Sequence, residues 1–157
     1  MSDQILLSTH DISDATQDIA TLILKQHPTL HQVVLVGVVD YGFVLAQRLS
    51  FILNKKTGAN VPIGKLDVTL YRDDLPPRNT YITLKESDIP FGITDKYLIL
   101  VNHVLATGRT LRSALNMLAD YGSPESIELA VLIEKGNRKI PVFANYVGKK
   151  MAHLGEK

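Results

Sequence analysis

The residues LILVNHVLATGRT at 98–110 hold the densest set of groups in this chain that could do chemistry. A buried apolar run enters Asn102-His103, and a short connection leads to Thr107-Gly108-Arg109-Thr110 at a helix start. A helix start offers unpaired N–H groups and about half a positive charge. Gly108 lets the backbone come close to a ligand, and the hydroxyls of Thr107 and Thr110 can donate to phosphate oxygens. Ala106 to Thr110 therefore reads as a cradle for one phosphate. The same residues also suit an ordinary capped helix with Thr110 as N-cap. The spellings of other phosphate loops are missing: there is no G-x-x-x-x-G-K-[ST], and Gly37 to Gly42 does not give G-x-G-x-x-G. No serine sits in G-x-S-x-G, which removes a hydrolase elbow. His27 and His31 are four apart, but Pro28 breaks the helix that would align them, and Asp73-Asp74 reads as a solvated turn or lid element, so no metal site is expected.

Elements that could position this loop are visible in the pattern. Ser8 and Asp11 spell a capping box, and Ile12, Ala15, Ile19, Leu22 and Ile23 fall on one helical face that ends at His27-Pro28. Val33 to Val36 is a short apolar run stopped by Gly37. A loop over Val38 to Gly42 follows, then a helix from Phe43 to Asn54, closed by Lys55, Lys56 and Gly58. Ile63 to Tyr71 alternates with period two, setting Leu66, Val68 and Leu70 against Lys65, Asp67 and Thr69. Arg72 to Ile89 is a long polar excursion, as functional lids often are. Tyr97 to Val101 and Ile127 to Ile133 read as buried strands, with a helix from Leu111 to Tyr121 between them. Strands alternating with helices predict a Rossmann-like α/β fold, a doubly wound and mostly parallel sheet, with ligands beyond the carboxyl ends of the strands.

The chain has 157 residues, which favours a single domain over 1–157. Cysteine is absent, so thiol catalysis, disulfides and thiolate metal sites are excluded together. No apolar run approaches the ~20 residues that span a bilayer, and Met1-Ser2-Asp3-Gln4 lacks the features of a signal peptide, so a cytoplasmic protein with no membrane role is expected. Seventeen basic against sixteen acidic residues leave no global field to attract nucleic acid. The charge is uneven, however: residues 135–157 hold six basic and one acidic side chain, a tail able to attract phosphate, RNA or a partner, or simply a solvated end.

Three stretches carry a resemblance: GKLDVTLYRDDL at 64–75, LILVNHVLATGRT at 98–110 and LAVLIEKGNRKIPVFANYVGK at 129–149. In these the chain resembles the type I phosphoribosyltransferase family, in the branch that joins uracil phosphoribosyltransferase activity to attenuation of pyrimidine operons. The resemblance implies a Rossmann-like core and a small hood with a flexible loop at about 71–96, carrying Tyr71, Arg72, Asp73 and Asp74. It also implies homodimers or larger assemblies. The family reaction joins uracil to phosphoribosyl diphosphate with Mg2+, giving uridine monophosphate and diphosphate, and uridine nucleotides promote binding to leader RNA.

Against that family, the chain departs where chemistry is done. Two tandem acids that hold the ribose hydroxyls are replaced by Asn102 and His103. Both can accept a hydroxyl hydrogen bond, but neither brings negative charge to the sugar. Electrostatic stabilisation is usually the largest catalytic term, so the loss should cost several powers of ten in rate. The diphosphate loop, basic in the family, reads Val39-Asp40-Tyr41-Gly42. At ~4 Å and an effective dielectric near 20, Asp40 would repel each unit of ligand charge by about 4 kcal/mol. The base is expected along Ile133, Glu134, Lys135 and Arg138. Phe143 stands where a basic residue is usual, and Asp18 would repel an RNA backbone. The family continues past the position of Lys149 with another strand-like segment, so the closing part of the hood is expected to be shortened.

The expectation is thus a phosphoribosyltransferase-fold homologue that holds a pyrimidine nucleoside monophosphate such as UMP. Its transferase activity would be weak or lost, and it would use Mg2+ only if turnover survives. The alternatives are an active uracil phosphoribosyltransferase and a UMP-dependent, RNA-binding attenuation regulator.

Overall fold

In the computed structural model, which describes residues 7–69 and 87–151, the first helix α1 runs Thr9–Gln26. Its start is the expected capping box: Asp11 N–H donates to the Ser8 hydroxyl at 3.0 Å, and Ser8 N–H donates to the Asp11 carboxylate at 3.1 Å. It ends at His27, before Pro28. The buried face is Ala15, Thr16, Ile19, Ala20 and Ile23. Leu22 departs from expectation, lying off this stripe and 38% exposed.

Strand β1 runs Val33–Val38, so Gly37 lies within it rather than stopping it. A Cβ on Gly37 would meet Phe43 Cα at 2.5 Å and the Gly42 carbonyl oxygen at 2.6 Å. Glycine here admits the start of the next helix, α2, Tyr41–Thr57. That helix begins two residues earlier than its apolar spacing predicts and ends on Gly58, at φ 80°. Strand β2, Ile63–Leu66, is shorter than the alternation suggested. Asp67, expected on the polar side, is instead buried.

Strand β3, Tyr97–Leu105, and strand β4, Ser126–Lys135, both outrun their apolar cores. Helix α3, Arg109–Leu118, lies between them, and β5, Tyr146–Met151, closes the sheet. Its mostly half-exposed residues give β5 no clear strand pattern in the sequence. The five strands are all parallel, in the order β2-β1-β3-β4-β5.

Two cores flank this sheet. One packs α1 and α2 on Leu35, Ile99, Val101 and Ala130; the other packs α3 on Val36, Leu98, Leu100 and Val131. Each fully buried Leu or Ile contributes about 1.5–3 kcal/mol. Of the segment expected as a hood, Tyr71, Arg72, Asp73 and Asp74 lie outside the described residues. Its end returns to the body of the fold: Asp88 bridges Lys65 in antiparallel fashion, and Ile93 is fully buried in the α3-side core. The winding reverses between β1 and β3, and a doubly wound sheet opens its ligand crevice at such a point.

Candidate functional site

A cavity of about 320 Å3 occupies that crevice. Its wall brings together Val39, Asp40 and Tyr41 after β1, Asn102 and His103 on β3, and Ala106, Thr107, Gly108 and Thr110 before and within α3. These are the expected diphosphate-loop, ribose and phosphate groups, contributed by three separate segments. The Val39–Asp40 peptide is cis. Asp67, which the sequence reading left on a strand's polar face, also lines the cavity; its carboxylate accepts from the backbone N–H and the hydroxyl of Thr69. A polar residue wedged between Leu66 and Val68, at the carboxyl end of a parallel strand, was the available signal.

The expected phosphate cradle, Ala106 to Thr110, is held from outside. Gly108, not Thr110, is the N-cap residue of α3, and Thr110 lies inside the first turn. Gly108 adopts φ +95°, and a Cβ there would come within 3.1 Å of the Ile140 carbonyl oxygen. Gly108 itself offers no side-chain cap to this helix start. The Thr107 carbonyl accepts from Lys139 N–H at 2.8 Å and Ile140 N–H at 2.9 Å. Arg138 fastens the same region: Nε donates to the Ala106 carbonyl at 2.9 Å, and a terminal nitrogen to the Val142 carbonyl at 2.7 Å. The other terminal nitrogen meets Glu134 at 2.9 Å and the Lys135 carbonyl at 3.2 Å. Arg138 is therefore a clamp on this loop. Arg109 does not line the cavity; its N–H donates to the Thr107 hydroxyl at 3.3 Å. Gly42 does not line it either, because it packs against β3: a Cβ would meet the Val101 carbonyl oxygen at 2.5 Å and Asn102 Cα at 3.0 Å.

Asn102 is 7% exposed, and its amide nitrogen donates to the Val104 carbonyl at 3.1 Å. His103 rests against Tyr41, ring centroids 5.0 Å apart, and its Nδ1 is buried without a hydrogen-bond partner. Burial first, and Lys135 second, hold the imidazole below its usual pKa, so it is neutral at pH 7. A hard cation such as Mg2+ takes oxygen ligands. Asn102 keeps its amide oxygen for such a cation, but the imidazole offers nitrogen, so the pair supplies one neutral oxygen ligand. A second cavity, of about 440 Å3, shares Tyr41, His103 and Val104 with the first. Ile133 and Lys135 of the expected base segment line this one, whereas Glu134 and Arg138 line neither.

This fold is that of the phosphoribosyl transferase domain, and the chain belongs to that family: residues 7–152 match it. Within the family it is a homologue of the bifunctional PyrR proteins. It is 42% identical over 146 residues to the Bifunctional protein PyrR of Deinococcus radiodurans, covering 93% of this chain and 80% of that one. It is 41% identical over 154 residues to the Bacillus cereus protein of the same name, covering 97% and 86%. Among solved structures, the hypoxanthine phosphoribosyltransferase of Staphylococcus aureus superposes with a TM-score of 0.71 at 23% identity, over 96% of this chain and 78% of that one. The Trypanosoma cruzi hypoxanthine enzyme superposes with 0.76 at 20% identity, over 97% and 80%. These two show the fold. No helix among the described residues is long and apolar enough to cross a membrane.

Proposed function

We propose that this chain holds a pyrimidine nucleoside monophosphate, with UMP the reference ligand, and that its phosphoribosyl transfer is weak or lost. The 5′-phosphate sits on Ala106 to Thr110, where a helix N-terminus and a clamped loop offer a preorganised anion site. The ribose lies against Asn102 and His103, and the base passes Val104 toward Ile133. One observation carries the reading: the pair at the end of β3 is an amide and an imidazole, neither able to carry negative charge, with the amide nitrogen already bonded to Val104. That pair can touch sugar hydroxyls but supplies no negative charge to a sugar cation. Asp40 and Asp67 on the same cavity further disfavour a doubly charged leaving group.

RNA binding is the weaker reading. Arg138 is spent on internal bonds, Asp14 and Asp18 are exposed on α1, and Phe143 is 71% exposed where a basic side chain would serve RNA. A homo-oligomer is supported by the exposed Tyr41, Val44 and Phe51 of α2 and is checked by light scattering. Calorimetric titration tests the main reading, with UMP, and with phosphoribosyl diphosphate plus Mg2+, alongside an assay for uracil-dependent diphosphate release. UMP is expected to bind more tightly, with release at background. Equal affinity for the diphosphate, or sustained release, overturns the proposal.

A further inference from the structure

The replacement of charge at the ribose subsite does more than remove catalysis; it changes which sugars fit. His103 divides two cavities of opposite character. The phosphate-side cavity carries the carboxylates Asp40 and Asp67. The other carries Arg48 and Lys135, with no Asp or Glu among its described lining residues. Lys135 is near enough to His103 to act on its protonation, and the buried Nδ1 of His103 still lacks a partner. A carboxylate pair at 102–103 would repel any phosphoryl group on a ribose hydroxyl. Asn102 and His103 do not, and the Lys135 and Arg48 side chains lining the neighbouring cavity can donate to phosphate oxygens.

We propose that this site accepts a nucleotide bearing a second phosphoryl group on its ribose, a nucleoside 3′,5′-bisphosphate. Its 5′-phosphate lies on the cradle, and its second phosphate faces His103, Lys135 and Arg48. This rests on the nucleotide-binding reading above and goes beyond it by naming the ligand class. The neutral sugar subsite also makes the interaction independent of divalent cations.

The test is calorimetric titration, in EDTA and low salt, with uridine 5′-monophosphate, uridine 3′,5′-bisphosphate and adenosine 3′,5′-bisphosphate. At least one bisphosphate is expected to bind about tenfold more tightly than the monophosphate, a gain of ~1.4 kcal/mol. The advantage should shrink toward one in 0.5 M salt, roughly three times the physiological ionic strength. Arg48→Met, on an exposed turn of α2, should cut the advantage severalfold and leave the monophosphate unchanged. His103→Asp should invert the preference. A monophosphate that binds as well as both bisphosphates overturns this proposal alone. A bisphosphate advantage untouched by Arg48→Met and Lys135→Met overturns the placement. No binding of the monophosphate overturns the nucleotide reading beneath it, and this proposal with it.

Discussion

Asn102→Asp is the simplest return to an acidic sugar subsite, and the structure predicts that it is costly. The native amide nitrogen donates to the Val104 carbonyl at 3.1 Å in a position 7% exposed. An ionised carboxylate puts two acceptors face to face there. The lost hydrogen bond costs about 1 kcal/mol, and an unsatisfied buried group about 1–3 kcal/mol more. The positive end of α2, packed on Asn102 through Gly42, offsets up to about 1 kcal/mol. The net is a destabilisation of about 2 kcal/mol at pH 8, equivalent to a native-state pKa raised by roughly 1.5 units. The sign follows from linkage. The introduced carboxyl is protonated more readily in the folded chain than in the unfolded one. The penalty is therefore absent below the unfolded value near 3.9, grows as pH rises, and is complete above the folded value. When protonated, the carboxyl can donate to Val104 as the amide did. Urea melts of the wild type and the variant at pH 8 and pH 4.5 should show the difference falling by about half. A variant as stable as wild type at pH 8, or a penalty that does not move with pH, refutes the assignment of the amide to Val104.

Arg138→Ala should lower stability by about 2–4 kcal/mol and weaken UMP binding about tenfold, because it removes four bonds and unpairs a part-buried Glu134. Thermal melts and calorimetry check it, and an unchanged melting temperature refutes the clamp. His103 has its folded pKa lowered by burial and then by Lys135. The unfolded chain therefore binds the extra proton, and stability should fall as pH drops below about 6.5, the unfolded value. Denaturant melts between pH 5 and 7.5 should show a shallower slope for His103→Gln, and identical slopes refute it. At the opposite end of the sheet, Tyr146 donates to Glu128 at 2.7 Å, and His27 meets the same carboxylate oxygen at 2.9 Å. Tyr146→Phe should cost about 1–2 kcal/mol in urea melts, and a neutral result would deny that bond a net role.

The sheet and its helices were legible because their cores are apolar and periodic. Their ends were not, for a physical reason. At the carboxyl end of a parallel sheet the strands carry polar residues into the crevice, so β3 continues through Asn102 and His103, and β4 through Glu134 and Lys135, after the hydrophobic signal has stopped. Gly37 looked like punctuation, but it is a close contact with α2. The strand β5 hides behind Lys149 and Lys150. Its Gly148 is required because a Cβ would meet the Leu132 carbonyl oxygen at 2.8 Å and Ala15 Cβ at 2.9 Å. The cavity residues after β1, at 102–103 and before α3 follow from motif and resemblance, whereas Asp67 and the work of Arg138 do not. Its partners come from Ala106, Glu134, Lys135 and Val142, and no spacing rule joins those positions.

The crevice is built from two mechanically separate halves, and this allows its charge to change without losing its shape. The cradle's geometry comes from Gly108, the Thr107 carbonyl and the clamp at 138–142. The sugar subsite is set by the end of β3 against α2, through Asn102, Val104, Gly42 and Tyr41. No residue is common to both sets of bonds. Substitutions at 102 and 103 can then alter the electrostatics of the proposed ribose subsite while the loop at 106–110 keeps its form. Asn102→Asp and Arg138→Ala should accordingly add in stability to within about 0.5 kcal/mol, as independent sites do. A coupling above about 1 kcal/mol in that double-mutant cycle would mean that the halves are one unit, and that the loss of the acids must have distorted the cradle as well.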